Sequence, residues 1–290
     1  MNIALHDGPH AWSRTELAGA VQEARAWLQD AGCRVLATLL DNGAAFVVID
    51  EAAAATGVVH IPLPPFFTPA QVQHALLSAG VDTLLTGPAA AWPSLPWQTL
   101  SLGGQALQVA RLPARASVIP RGITKITYTS GSTGTPKGVC LRQAALERVA
   151  DGVVQALGPL GITRHLSALP FAVLLENVAG QMSARRQGAT LLAPPLAELG
   201  WQGSSHFDVA TFHAAVLRLQ PDSAFSYLRS HGTLDQEHTA HFALLMDRID
   251  EPADQAAIAH AARAFYRLYG DVFRGLPMPQ LVATAEEVVA

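Results

Sequence analysis

The sequence predicts an α/β fold, a parallel helix-covered sheet, followed by an all-α helical tail. Two observations carry that class. Over the first 220 residues or so, amphipathic helical stretches alternate with short apolar runs, the order expected of strands joined by crossover helices. From about Ala224 the texture changes to long helical patterns without a strand signal. The domains are therefore placed at residues 1–222 and 223–290.

Each element has a local reason. SRTELAGAVQEARAWLQDAG opens on Ser13 with Glu16 three residues on, a capping box, keeps its apolar residues at helical spacing and stops at Gly32. CRVLATLL reads as a buried strand, NGAAFVVIDEAAAATG as a helix ending at Gly57, and VVHIPLP as another strand. TPAQVQHALLSAG and VDTLLTG repeat the helix and strand pair. RGITKITYTS alternates with period two and runs straight into a glycine loop, after which RQAALERVADGVVQAL is a helix. HLSALPFAVLLENVAGQMSARRQGATLLAP and FDVATFHAAVLRLQPDS add a helix, a strand and a helix. The tail carries two helical patterns broken at Glu251-Pro252, an expected antiparallel hairpin.

Composition excludes several functions. The 290 residues are half hydrophobic and 14% charged, with a net charge of −4, and the 19 Lys and Arg are scattered. No basic stripe is present to neutralise a nucleic-acid backbone, so nucleic acid is not an expected partner. No apolar run reaches the roughly 18 residues that span a bilayer, and MNIALHDGPHAW lacks the regions of a signal peptide. The expectation is a soluble, cytoplasmic protein without a membrane partner. In that compartment Cys33 and Cys140 are expected to be reduced thiols, and they form no metal-spaced pair.

The stretch TYTSGSTGTPKGV, residues 127–139, holds three glycines, a run of Ser and Thr hydroxyls and one lysine. Consecutive main-chain N–H groups in a glycine-rich turn form an anion-binding nest, and hydroxyls and a lysine add donors and charge. The loop is suited to phosphate. It is not a Walker A loop, because Lys137 is followed by Gly138 where a Mg²⁺-binding Ser or Thr would stand. Over Thr129 to Gly138 it resembles the signature loop of the adenylate-forming enzymes, which include acyl-CoA synthetases, aryl acid ligases and peptide-synthetase adenylation domains. The resemblance extends over about residues 10–222, through GVVHIPLPPFFTPAQVQHALLSAGVDTLL and LSALPFAVLLENVAGQ.

That resemblance implies a reaction joining a small-molecule carboxylic acid to the α-phosphate of ATP, with Mg²⁺, and release of pyrophosphate. It implies that Thr129, Ser130, Gly131, Ser132, Thr133, Gly134, Thr135 and Gly138 cradle the phosphates, that Lys137 is both a phosphate ligand and the catalytic cation on the departing pyrophosphate, and that Pro170 and Phe171 shape the acyl pocket. Downstream of residue 223 the sequence departs from the family pattern. It has no aromatic-Gly-x-Thr-Glu segment for adenine and Mg²⁺, no Thr-Gly-Asp for the ribose, and no terminal Gly-Lys. The ligase is therefore expected to be incomplete.

In the tail, HGTLDQEH places His231, Asp235 and His238 at i, i+4 and i+7, within roughly 60° of one another on a helix, so all three can face one iron or manganese ion. The spacing resembles the last metal-binding helix of haem-oxygenase-like diiron oxidases and oxygenases, whose remaining ligands have no counterpart here; a helix with this face is also often a solvated surface. An internal deletion in a longer ligase–oxygenase fusion would account for both halves. Three functions stay open: an ATP-dependent acid ligase-like protein, a catalytically degenerate nucleotide- or partner-binding remnant, and a metal-dependent oxygenase-like protein. The tail's apolar stripe would need cover from the α/β part or from a second copy in a homodimer.

Overall fold

A computed structural model of the protein describes residues 3–8, 10–88, 95–113, 119–129, 136–158, 161–202, 206–207, and singly 211, 214, 215, 251, 252, 256, 260, 263 and 267. The chain begins with two strands, β1 (Ile3–Asp7) and β2 (His10–Ser13). Helix α1 (Arg14–Asp30) starts as expected: Ser13 Oγ accepts from the Glu16 N–H at 3.2 Å, and the Glu16 carboxylate accepts from the Ser13 N–H at 2.8 Å. Strand β3 (Val35–Leu39) leads to α2 (Ala44–Thr56), β4 (Val59–Pro62), α3 (Pro69–Ser78) and β5 (Thr83–Thr86). Helix α2 closes at Gly57 with φ +73°, a left-handed cap that favours glycine.

Next come β6 (Gln98–Leu102), β7 (Gln105–Arg111), β8 (Lys125–Thr129), β9 (Lys137–Leu141) and α4 (Gln143–Leu157). After β10 (Arg164–Leu166), a π-helical segment Glu176–Met182 continues into α5 (Ser183–Arg186), followed by β11 (Thr190–Leu192), β12 (Trp201–Gln202) and β13 (His206–Phe207).

The single parallel sheet expected from the sequence is corrected to two mixed sheets and a separate antiparallel pair, β12-β13. A seven-stranded sheet has the order β6-β7-β5-β3-β4-β8-β9, in which β5, β3, β4 and β8 run parallel, β7 and β9 run against them, and β6 pairs antiparallel with β7. A four-stranded sheet, β10-β11-β1-β2, recruits the N-terminal strands by pairing β1 parallel to β11. The antiparallel additions follow from turn chemistry. Gly103 and Gly104, with φ +56° and +76°, join β6 to β7 as a tight hairpin, and left-handed backbone at both central positions is what such a turn needs.

Helices α1 and α2 lie between the two sheets. Their residues Leu17, Ala24, Leu28, Phe46, Val47 and Ile49 share one apolar core with Leu36 and Leu85 of the large sheet and Leu5 and Leu191 of the small one. A helix that is apolar on every side belongs inside, and α2 is buried from Ala44 to Ala53 almost without a break. On the other face of the large sheet, α3 packs Val72 and Ala75 on Ala37, Ile61, Ile126 and Tyr128.

The expected helix over 207–223 is helical at residues 211, 214 and 215, but its first residue, Phe207, stands in strand β13 instead. In the tail, Pro252, Ala256, His260, Arg263 and Arg267 are helical and exposed; the hairpin as a whole, and the boundary at 222/223, lie outside the described residues. Among the described residues no helix is long and apolar enough to cross a membrane.

Candidate active site

Strands β8 and β9 form the two legs of the glycine loop. Their register sets Thr129 opposite Lys137, Tyr128 opposite Gly138 and Ile126 opposite Cys140. Thr129, Lys137 and Gly138 are exposed at the open end of this ladder. The other expected phosphate ligands, Ser130, Gly131, Ser132, Thr133, Gly134 and Thr135, lie outside the described residues. Gly138 has a steric reason to be glycine: a Cβ there would sit 3.0 Å from Ile126 Cγ2 and 3.1 Å from Tyr128 Cζ. The Tyr128 ring crosses that space because its hydroxyl is anchored to α3, 2.8 Å from Ser78 Oγ and donating to the Ala75 carbonyl at 3.3 Å.

The loop leaves the sheet at the carboxyl end of β8, the edge where open α/β sheets place their ligands. At the same edge, two strands away and so about 10 Å across, β3 ends near Asn42, which is 6% exposed. Its Nδ2 donates to the Leu169 carbonyl at 2.9 Å and its Oδ1 accepts from the Phe171 N–H at 2.8 Å. One side chain thus clamps the Pro170–Phe171 segment to the edge that carries the glycine loop. Phe171 itself is 1% exposed and packs on Phe46 at a ring-centroid distance of 5.3 Å, so its side chain serves the core.

Sequence reasoning missed a buried polar cluster beneath this edge. Asp50 of α2 accepts from Lys125 Nζ at 2.8–2.9 Å, from Asn177 Nδ2 at 3.1 Å and from His60 Nδ1 at 2.6 Å. Lys125 also donates to Asn177 Oδ1, and His60 Nε2 lies 2.9 Å from Thr38 Oγ1. Burial alone would raise the Asp50 carboxyl, but the Lys125 charge and the His60 contact outweigh it and hold the group far below the ordinary carboxylate range. Burial lowers His60 despite its Asp50 partner, which keeps the imidazole neutral. An ionised Asp50 can only accept, so the ring proton belongs on Nδ1 and Thr38 donates to Nε2. A signal existed: two adjacent acids, Asp50 and Glu51, interrupt the apolar run AAFVVIDEAAAA, and one lysine opens the apolar strand KITYT.

A cleft of about 470 Å³ opens between α1, α2, α4 and the π-helical segment, with Asp50, Lys125 and Gln181 on its lining; neither Thr129 nor Lys137 borders it. Both thiols are free, as expected, and burial pushes Cys33 up to about 12, far from any nucleophilic role. Among the described residues no group of three His, Cys, Asp or Glu side chains is placed to hold a metal. His231, Asp235 and His238 lie outside those residues.

With the geometry in view, the comparisons with known proteins are specific about family. The family described as AMP-binding enzyme matches residues 2–270, which runs past the boundary expected at 222. Pyochelin synthetase PchE of Pseudomonas aeruginosa is 32% identical over 190 residues, 63% of this chain and 13% of PchE. Surfactin synthase subunit 1 of Bacillus subtilis is 25% identical over 122 residues, 42% of this chain and 3% of that protein. Among solved structures, the O-succinylbenzoate coenzyme A synthetase MenE of Bacillus subtilis in complex with AMP superposes with a TM-score of 0.55 at 23% identity. That match covers 75% of this chain and 56% of MenE. The chain therefore spans a small part of these two relatives and about half of the solved structure.

Proposed function

The chain belongs to the AMP-binding enzyme family, and from that premise we propose that it is an ATP-binding, acid-activating ligase-like protein whose phosphate site is the loop from Thr129 to Gly138. The observation that carries the reading is the β8–β9 ladder, which presents Thr129 and Lys137 side by side at the carboxyl edge of the parallel strands. In the proposed site the Thr129 hydroxyl and the amides of the loop donate to the β- and γ-phosphates of the Mg²⁺–ATP substrate. A carboxylate oxygen attacks the α-phosphorus, the bond to the pyrophosphate oxygen breaks, and Lys137 stabilises the charge that gathers on the leaving group.

The acid and its acceptor are those of an activating ligase in class only. The stretch 223–290 is proposed to be a separate helical unit, which a single early proteolytic cut near residue 223 would support and resistance there would refute.

Calorimetry with ATP and with pyrophosphate tests the phosphate site. Lys137→Ala should lose about 1.5–3 kcal/mol, the worth of a charge-assisted contact. Equal affinity in the unaltered chain and the variant overturns the assignment, and carboxylate-dependent exchange of labelled pyrophosphate into ATP then measures how much turnover accompanies binding.

A further inference from the structure

The π-helical segment Glu176–Met182 follows directly from the Pro170–Phe171 stretch that Asn42 holds at the sheet edge. It buries three polar side chains, Glu176, Asn177 and Gln181. Single π-turns inside helices recur at functional sites, because the wider turn re-aims side chains that an α-helix would send elsewhere. Here Asn177 is aimed at Lys125, the first residue of β8, and at Asp50 on the far side of the same ammonium. Lys125, Thr127 and Thr129 lie on one face of β8, since strand side chains alternate. The cluster thus grips the foot of the strand whose head is Thr129.

Resting on the phosphate-site reading above, we infer that Lys125 is a positioning residue for that site: held by Asp50 and Asn177, it fixes β8 against the segment following Phe171, so the acyl side and the phosphate side of the edge keep one relative placement. Nothing in the packing alone requires an ion here. The strand is covered by apolar neighbours on its other face, where Ile126 and Tyr128 meet α3. A methionine in place of Lys125 would fill similar volume, but it would offer no hydrogen bond to Asn177 and would leave β8 free to slide against α2. The four bonds among Asp50, Lys125 and Asn177 forbid that slide because each has a direction.

The test measures pyrophosphate affinity in the whole chain for Lys125→Met, Asn177→Ala and Leu28→Ala, with folding followed by circular dichroism. Asn177→Ala keeps the Lys125–Asp50 pair and so serves if Lys125→Met does not fold. Leu28, wholly buried on α1, controls for loss of stability alone. The inference expects at least a tenfold loss of affinity in Asn177→Ala and in folded Lys125→Met. Faster amide exchange in the peptide spanning β8 and β9 should accompany that loss, while Leu28→Ala melts earlier yet binds as the unaltered chain does. Unchanged affinity in Asn177→Ala overturns the inference while the phosphate-site reading stands, as does an equal loss in Leu28→Ala. Absence of pyrophosphate binding in the unaltered chain overturns both.

Discussion

The Asp50 carboxylate on α2 and the Lys125 ammonium on β8 lie 2.8 Å apart, with side-chain exposures of 7% and 6%. Two charges with so little access to solvent are tolerated because hydrogen bonds from His60 and with Asn177 add to their mutual attraction. Replacing the whole group by apolar residues of like shape could cost nothing, whereas removing one member strands the other.

Asp50→Ala is therefore expected to destabilise the fold by about 3–5 kcal/mol, the usual cost of stranding a buried charge. Urea denaturation of the single variant and of Asp50→Ala combined with Lys125→Met checks this. The double variant should recover part of the loss, and an additive loss in the pair would contradict the stated coupling.

The same cluster sets a direction for pH dependence. His60 is held below its ordinary value of 6.5, so between pH 6.5 and its folded value the unfolded chain takes up a proton that the folded chain refuses. Stability must fall as pH drops through that window, by at most about 1.4 kcal/mol per pH unit for one group. Asp50, held below its ordinary 3.8, adds a second loss only once the pH falls beneath that value. Denaturation midpoints at pH 8, 6 and 5 should decline in the unaltered chain and decline less in His60→Gln; parallel declines would remove His60 as the cause.

Asn42 makes a comparable prediction at the sheet edge. Asn42→Ala leaves the Phe171 N–H and the Leu169 carbonyl without their side-chain partner in a mostly buried loop, which should cost about 1–3 kcal/mol. Because that loop carries Phe171 into the core against Phe46, near-ultraviolet circular dichroism should change along with the urea midpoint. A variant with native stability would show that water replaces the amide without loss.

Much of this fold was legible in local sequence. The Ser13–Glu16 capping box, the left-handed stop at Gly57 and the apolar run of α2 each force their element, and the alternation of helix and strand implies that β3, β4, β5 and β8 run parallel, though not their spatial order. The small sheet was not legible, because β1 pairs with β11, Leu5 with Leu191, and only tertiary packing brings segments so far apart in sequence together. Strand β9 was hidden by its composition: Lys137 and Gly138 read as loop chemistry, yet they stand in a ladder opposite Thr129 and Tyr128. The proposal that the 129–138 loop holds phosphate rests on residue types alone. The cluster of Asp50, His60, Lys125 and Asn177 draws on two helical segments and two strands, so no spacing rule could assemble it.

Gly180 and Gly19 sit in helical segments, and the same substitution should act on them with opposite sign. At Gly180 the Glu176 carboxylate folds back over the π-turn to meet His165 Nε2 at 2.8 Å. A Cβ at 180 would lie 2.2 Å from Glu176 Oε1 and 2.8 Å from His165 Nε2, so Gly180→Ala must push the carboxylate off its partner. Glu176 is only 7% exposed and has little room to find water instead. The expected loss is about 1–3 kcal/mol, the cost of leaving a buried polar group unpaired. Gly19 lies on the exposed side of α1, and a Cβ there would meet nothing within 4 Å. Alanine at that position removes backbone freedom from the unfolded chain and exposes no clash, so Gly19→Ala should stabilise by about 0.5–1 kcal/mol. Urea midpoints of the two variants, measured side by side, should move in opposite directions from the unaltered chain. A stabilised Gly180→Ala would mean that the Glu176–His165 pair does not occupy that space in solution.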